Sequence, residues 1–94
     1  MTIYVDIDGT ICSQELNYTD AKPLPEKIKA INDLYDQGNK IVYWTARGSL
    51  TGINWRPTTE EQFRKWGVKH HGLLFGKPVF DRFIDDRAIN AGDI

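Results

Sequence analysis

A chain of 94 residues, 40% of them hydrophobic, has material for one modest core and none for a second module, so residues 1–94 are expected to form a single domain. Its 12 Lys and Arg stand against 13 Asp and Glu, a balance without the basic excess that grips a phosphate backbone, which speaks against nucleic acid as a partner. Met1 leads directly into an apolar alternation with no charged leader, and no apolar run approaches a membrane-spanning length, so the chain reads as cytoplasmic with no membrane partner.

The first element lies in Ile3 to Cys12, I-Y-V-D-I-D-G-T-I-C. Ile3, Val5 and Ile7 alternate and are β-branched, which predicts a buried strand ended by Gly9. Asp6 and Asp8, two apart, are then expected on one side of its C-terminal end. Ligands of open α/β sheets bind at that end, and carboxylates packed so closely repel unless a cation sits between them. The pair asks for a metal. Cys12, the lone cysteine, excludes an internal disulfide and reads as a buried, inert thiol.

Ser13 to Lys22 is polar and aperiodic, a loop or small hairpin placed to act as a flap. Pro25 suits the first position of a helix, Glu26 its first turn, and Ile28, Ile31, Leu34 and Tyr35 give it one apolar face before Gly38 stops it. Lys40 to Trp44 predicts a second, parallel strand with Thr45 just past its end. Arg47 to Pro57 follows as a loop at the same edge as Asp6. Thr58 and Glu61 have capping-box spacing for a helix through Phe63 and Trp66 to Gly67. Gly72 to Phe75 predicts a third strand, and Phe83-Ile84 before Asp85-Asp86 a fourth. His70 and His71 point apart on an extended chain and read as structural. Strands alternating with helices predict a doubly wound, three-layer Rossmann-like α/β parallel sheet of order about 3-2-1-4, its first strand central. The short tail would leave the fourth strand as an exposed edge, so a homo-oligomer is expected.

Asp6-Ile7-Asp8-Gly9-Thr10, Thr45, Lys77 in G-K-P, and Asp85-Asp86 stand in that order, each following a predicted strand. The series resembles the haloacid dehalogenase superfamily of phosphotransfer enzymes over nearly the whole chain, with D-x-D-G-T its most specific part. The resemblance implies a HAD-like phosphatase core without a cap domain, since neither gap between motifs has room for one. It implies Asp6 as the nucleophile that forms an aspartyl phosphate, and Asp8 as general acid for the leaving alcohol and then base for water. Thr45 would bind a phosphoryl oxygen and Lys77 would offset charge. Mg²⁺ is the implied cofactor, held by Asp6, the Asp8 main-chain carbonyl and Asp85, with Asp86 orienting Lys77 or a metal-bound water.

Gly9, Thr10 and Ala46 fall within the same motifs and, with Arg47, Trp55 and Arg56 on the loop beside Thr45, are expected to bind substrate; an Arg could grip a second anion and Trp55 could stack on a ring. The implied function is Mg²⁺-dependent hydrolysis of a small phosphomonoester. D-I-D-G-T-I-C, W-T-A-R-G and I-D-D-R-A-I-N resemble short bacterial or phage members linked to polysaccharide biosynthesis, which points to a sugar phosphate. A nucleotide or nucleic-acid-end phosphatase is the enzymatic alternative. A phospho-receiver, which also clusters Asp, Thr and Lys but in another order, and a catalytically silent phosphate-binding module are the alternatives of another class. The P-loop pattern and the dinucleotide fingerprint are both missing.

Overall fold

The computed structural model describes residues 1–94. Strands β1 (Thr2–Val5), β2 (Lys40–Trp44) and β3 (Gly72–Leu74) form an all-parallel sheet in the order β1-β2-β3. Helix α1 (Pro25–Asp36) joins the first two strands and α2 (Arg56–Trp66) the last two. Pro25 opens α1, where its missing N–H would have had no partner, and Gly67 closes α2 in the left-handed conformation at φ 69°. The start of α2 differs from expectation. Its N-cap is Trp55, and Thr58 lies inside the first turn, with Pro57 supplying the early start.

Register explains where the core sits. Val5 pairs with Tyr43 and Tyr43 with Leu73, so these three share one face of the sheet. Ile28 and Ile31 of α1 and Phe63 of α2 join them in one buried cluster, along with Ile7, Ile11, Cys12 and Ile41. Both helices therefore cover the same face. Successive right-handed crossovers that step the same way across a sheet put their helices on one side. The opposite face carries Tyr4, 58% exposed and edge-to-face with Trp44 at 6.2 Å, and the half-open Leu74.

This arrangement corrects the expected three-layer sheet of order 3-2-1-4. The sheet has three strands and two layers, β1 is an edge rather than the centre, and the whole is too small for a full haloacid dehalogenase core. The fourth strand does not form: from Phe75 to Asn90 the chain has neither strand nor helix, and Ile84 is 96% exposed. Phe83-Ile84 is a two-residue apolar run between Arg82 and Asp85, too short to bring a ladder of hydrogen bonds with it. The tail is pinned by a different contact, Lys27 Nζ donating to the Ala91 carbonyl at 3.0 Å. No helix is long and apolar enough to cross a membrane.

Tyr43 is fully buried, yet its hydroxyl has no hydrogen-bond partner, and burial pushes the phenol's pKa upward. Tyr43→Phe is therefore expected to leave stability unchanged or raise it by about 1 kcal/mol, because it deletes an unsatisfied group. Ile41→Ala, in the same core, should cost about 2–5 kcal/mol. Urea midpoints measure both, and a clear loss of stability in Tyr43→Phe would mean that the hydroxyl has a partner.

Candidate active site

Because the strands are parallel, the residues that follow them gather at one edge. Asp6 follows β1 directly and Thr45 follows β2. Lys77 comes three residues after β3 and is drawn in by its N–H, which donates to the Thr45 carbonyl at 3.1 Å, while Thr45 N–H donates to the Leu74 carbonyl at 3.0 Å. Lys77 Nζ then stands 3.5 Å from Asp6 Oδ1, with the Asp6 side chain 39% exposed. The result is a carboxylate open to solvent with one cation at its side. Thr45 is buried, and its Oγ1 accepts the Arg47 N–H at 3.1 Å, which leaves its own hydroxyl proton to be donated.

Past Asp6 the chain turns tightly. Ile7 C=O accepts the N–H groups of Thr10 and Ile11, both at 3.0 Å, and Gly9 takes φ 81°, which a side chain would strain. The turn presents Asp8 to Arg47 in a two-pronged ion pair, Nε to Oδ2 and Nη2 to Oδ1, each 2.9 Å. The Arg47 side chain is wholly buried. Its remaining prong donates to Thr59 Oγ1 at 3.0 Å and Gln62 Oε1 at 2.6 Å on α2, and its plane lies 4.9 Å from the Tyr18 ring of the flap. Gln62 also donates to the Tyr18 carbonyl at 2.7 Å. The flap is fastened to the site through this guanidinium.

Several expected site residues have other work. Arg47 was expected to grip a substrate anion; its donors are instead spent on Asp8 and α2. Arg56 donates to the Leu73 carbonyl at 3.0 Å, pairs with Glu60 and lies over the Phe75 ring, so it braces α2 against β3 rather than facing the site. Thr10 is buried in the turn beside exposed Gly9, and Ala46 is half-buried between Thr45 and Arg47. Trp55 packs edge-to-face on Tyr18 at 5.0 Å and lines a cavity of about 200 Å³ together with Arg47, Gly48, Phe75 and Gly76. Asp85 and Asp86 do not join Asp6 and Asp8. They lie exposed in the tail, where Asp85 accepts the Arg87 N–H at 2.7 Å, and no three Asp, Glu, His or Cys side chains cluster as a metal site. The missing fourth strand is the reason.

Tyr18, Ser49, Thr59 and Gln62 were not singled out from the sequence. Thr59 and Gln62 carried a signal: they precede Phe63 and Trp66 on the same helical face, where polar residues have to find a buried partner. Ser49 Oγ donates to the Lys77 carbonyl at 2.7 Å, tying the second loop to the third.

The donor set suits Mg²⁺ in kind, since it is all oxygen, and Mg²⁺ asks for only one or two carboxylates beside waters and phosphate oxygens. Asp6 is the carboxylate at the strand ends that has no arginine on it.

No protein-family model matches the chain, and no curated protein matches it. A solved structure is similar. It is the crystal structure of an MCSG target from Vibrio cholerae, 28% identical, with a TM-score of 0.90 over 98% of this chain and 85% of that one. Its name carries no activity, so the likeness speaks to the fold.

The buried pair sets one expectation. Arg47→Met leaves Asp8 inside without its partner and should cost about 3–5 kcal/mol of unfolding free energy by urea titration, with Arg47→Lys restoring less than half because an ammonium cannot make the fork. Stability equal to the parent's in Arg47→Met would contradict the pair's role. Cys12 sets another. Burial, and then the charge of Asp8, pushes its thiol from an ordinary 9.0 up to about 12. The stability this group contributes is complete below 9.0 and lost as pH climbs toward about 12. Native alkylation by iodoacetamide at pH 8 should run about a thousandfold slower than in urea; a fast native reaction would contradict the burial.

Proposed function

We propose that the chain is a Mg²⁺-dependent phosphomonoester hydrolase of the haloacid dehalogenase type, acting through an aspartyl phosphate on a small phosphorylated substrate. The observation that carries this reading is the open Asp6 carboxylate 3.5 Å from Lys77 Nζ at the C-terminal end of a parallel sheet, with Asp8 two residues on and Thr45 at the next strand. Phosphoryl transfer needs little beyond a nucleophile, charge neutralisation and alignment, and these residues supply all three.

An Asp6 carboxylate oxygen attacks phosphorus as the bond to the leaving oxygen breaks. Lys77 offsets the charge gathered between carboxylate and phosphoryl group, and the Thr45 hydroxyl donates to a phosphoryl oxygen. Asp8 gives a proton to the leaving oxygen. Arg47 fixes the direction in which that carboxylate faces; Oδ1 also accepts from Cys12 Sγ at 3.5 Å, so Oδ2 keeps the free lone pair through which the proton passes. Asp8, now ionised, takes a proton from water as it attacks the aspartyl phosphate, and Asp6 is released unchanged. Bound Mg²⁺ would supply further charge neutralisation and alignment of the phosphate oxygens, and Asp6 would hold it with the Asp8 main-chain carbonyl.

Turnover of phenyl phosphate tests the reading. Hydrolysis should require Mg²⁺ and fall by about a thousandfold or more in Asp6→Asn. Full activity in Asp6→Asn would refute the assignment, and one phosphoryl group taken up and kept, without turnover, would indicate a receiver.

A further inference from the structure

We propose that the cavity beside the strand ends is the leaving-group pocket, and that it takes a single neutral ring of monosaccharide size while refusing a second anionic group. Its purpose rests on the phosphatase reading; its ability to hold a ring does not.

Position comes first. The cavity is walled by Arg47, whose guanidinium grips Asp8, and by Gly76, the neighbour of the lysine that faces Asp6. Neither Asp6 nor Asp8 lines it; it stands removed from each, through Arg47 on the Asp8 side and through Gly76 beside Lys77 on the other. The loop around it is built rather than slack. Ser49 N–H donates to the Ala46 carbonyl at 2.9 Å and Gly52 N–H to the Gly48 carbonyl at 2.8 Å. At Gly48, φ +81°, a Cβ would stand 2.2 Å from the Ile53 carbonyl oxygen, so this closure demands glycine.

Size and chemistry choose the occupant. At about 200 Å³ the cavity lies below the roughly 300–1,000 Å³ of pockets that take drug-sized ligands, which suits one saturated ring and not a base with its ribose. Trp55, Phe75 and Ile53 give it apolar walls against which the C–H face of a sugar packs, and its glycine-rich main chain offers polar groups to hydroxyls.

Charge supplies the exclusion. The cavity's one charged lining residue, Arg47, has a wholly buried side chain whose donors are all taken by Asp8, Thr59 and Gln62. Arg56 is engaged with Glu60 and Leu73, and Lys77 with Asp6. The N-terminus of α2 offers little to an anion either, because Asn54 Oδ1 accepts the Arg56 N–H at 3.1 Å and Pro57 has none. A second phosphate entering here would lose its water and find no partner.

The test has two arms. In the first, kcat/KM is compared for phenyl phosphate, hexose and pentose monophosphates, a hexose bisphosphate and uridine monophosphate. The best sugar monophosphate should exceed the bisphosphate and the nucleotide by about tenfold or more. Trp55→Ala should lower the ratio of sugar phosphate to phenyl phosphate, and Ile53→Lys, at an exposed position on the rim, should raise the ratio of bisphosphate to monophosphate about tenfold. In the second arm, which needs no turnover, magnetisation transfer in NMR detects methyl glucoside, galactoside and mannoside on the protein, and the signal should disappear in Trp55→Ala. Ring binding at Trp55 with no phosphate hydrolysed would keep the pocket and remove the phosphatase. Phenyl phosphate hydrolysis with neither glycoside binding nor sugar preference would keep the phosphatase and overturn the pocket, as would a preference for the bisphosphate or the nucleotide.

Discussion

The candidate site depends on one buried cation. A guanidinium with its side chain wholly enclosed is tolerable only if its donors are matched, and Arg47 meets Asp8, Thr59 and Gln62 with all three prongs. Those partners come from the turn after β1 and from α2, and Tyr18 brings the flap against the same group. The end of β2 thereby holds four parts of the chain in one geometry. A small domain with three strands has little core to spare for positioning, and this pair does that work with directional bonds instead.

The parallel sheet adds the second constraint. Three strands running one way deliver Asp6, Thr45 and Lys77 to a common edge whatever else the fold contains. A fourth strand is not needed to bring nucleophile and lysine to 3.5 Å. It would be needed to fix Asp85, and without it the acidic pair sits in a tail of turns. The helix-free face of the sheet has the same origin: the crossovers step in one direction only, so both helices cover one side and leave Tyr4 and Leu74 open on the other, although Val42 between them is buried.

Much of this was legible in the residues. The alternation of Ile3, Val5 and Ile7, the apolar run Lys40 to Trp44 and the helical spacing from Ile28 to Tyr35 each state their element, because strand and helix periods are local properties. Pro25 and Gly67 mark real boundaries for the same reason. The absence of the fourth strand, which leaves β1 at the edge, was not legible, since it depends on whether a short apolar pair, Phe83-Ile84, can recruit a ladder, and flanking charges defeat it. Arg47 was read as a substrate grip because a sequence shows a cation and not its partner 39 residues away in the chain. Thr58 looked like a cap, but Pro57 favours an earlier start, and tertiary contacts of Thr59 and Gln62 hold α2 there.

The central claim is that Asp6, and not Asp8, forms a bond to phosphorus. Acid quenching of the protein during turnover with Mg²⁺ and a phosphomonoester, followed by borohydride reduction, converts an aspartyl phosphate to homoserine, which peptide mass spectrometry locates. The account predicts homoserine at position 6, and only in samples that contained substrate. Homoserine at position 8, or an unmodified Asp6 in a protein caught turning over, would contradict it.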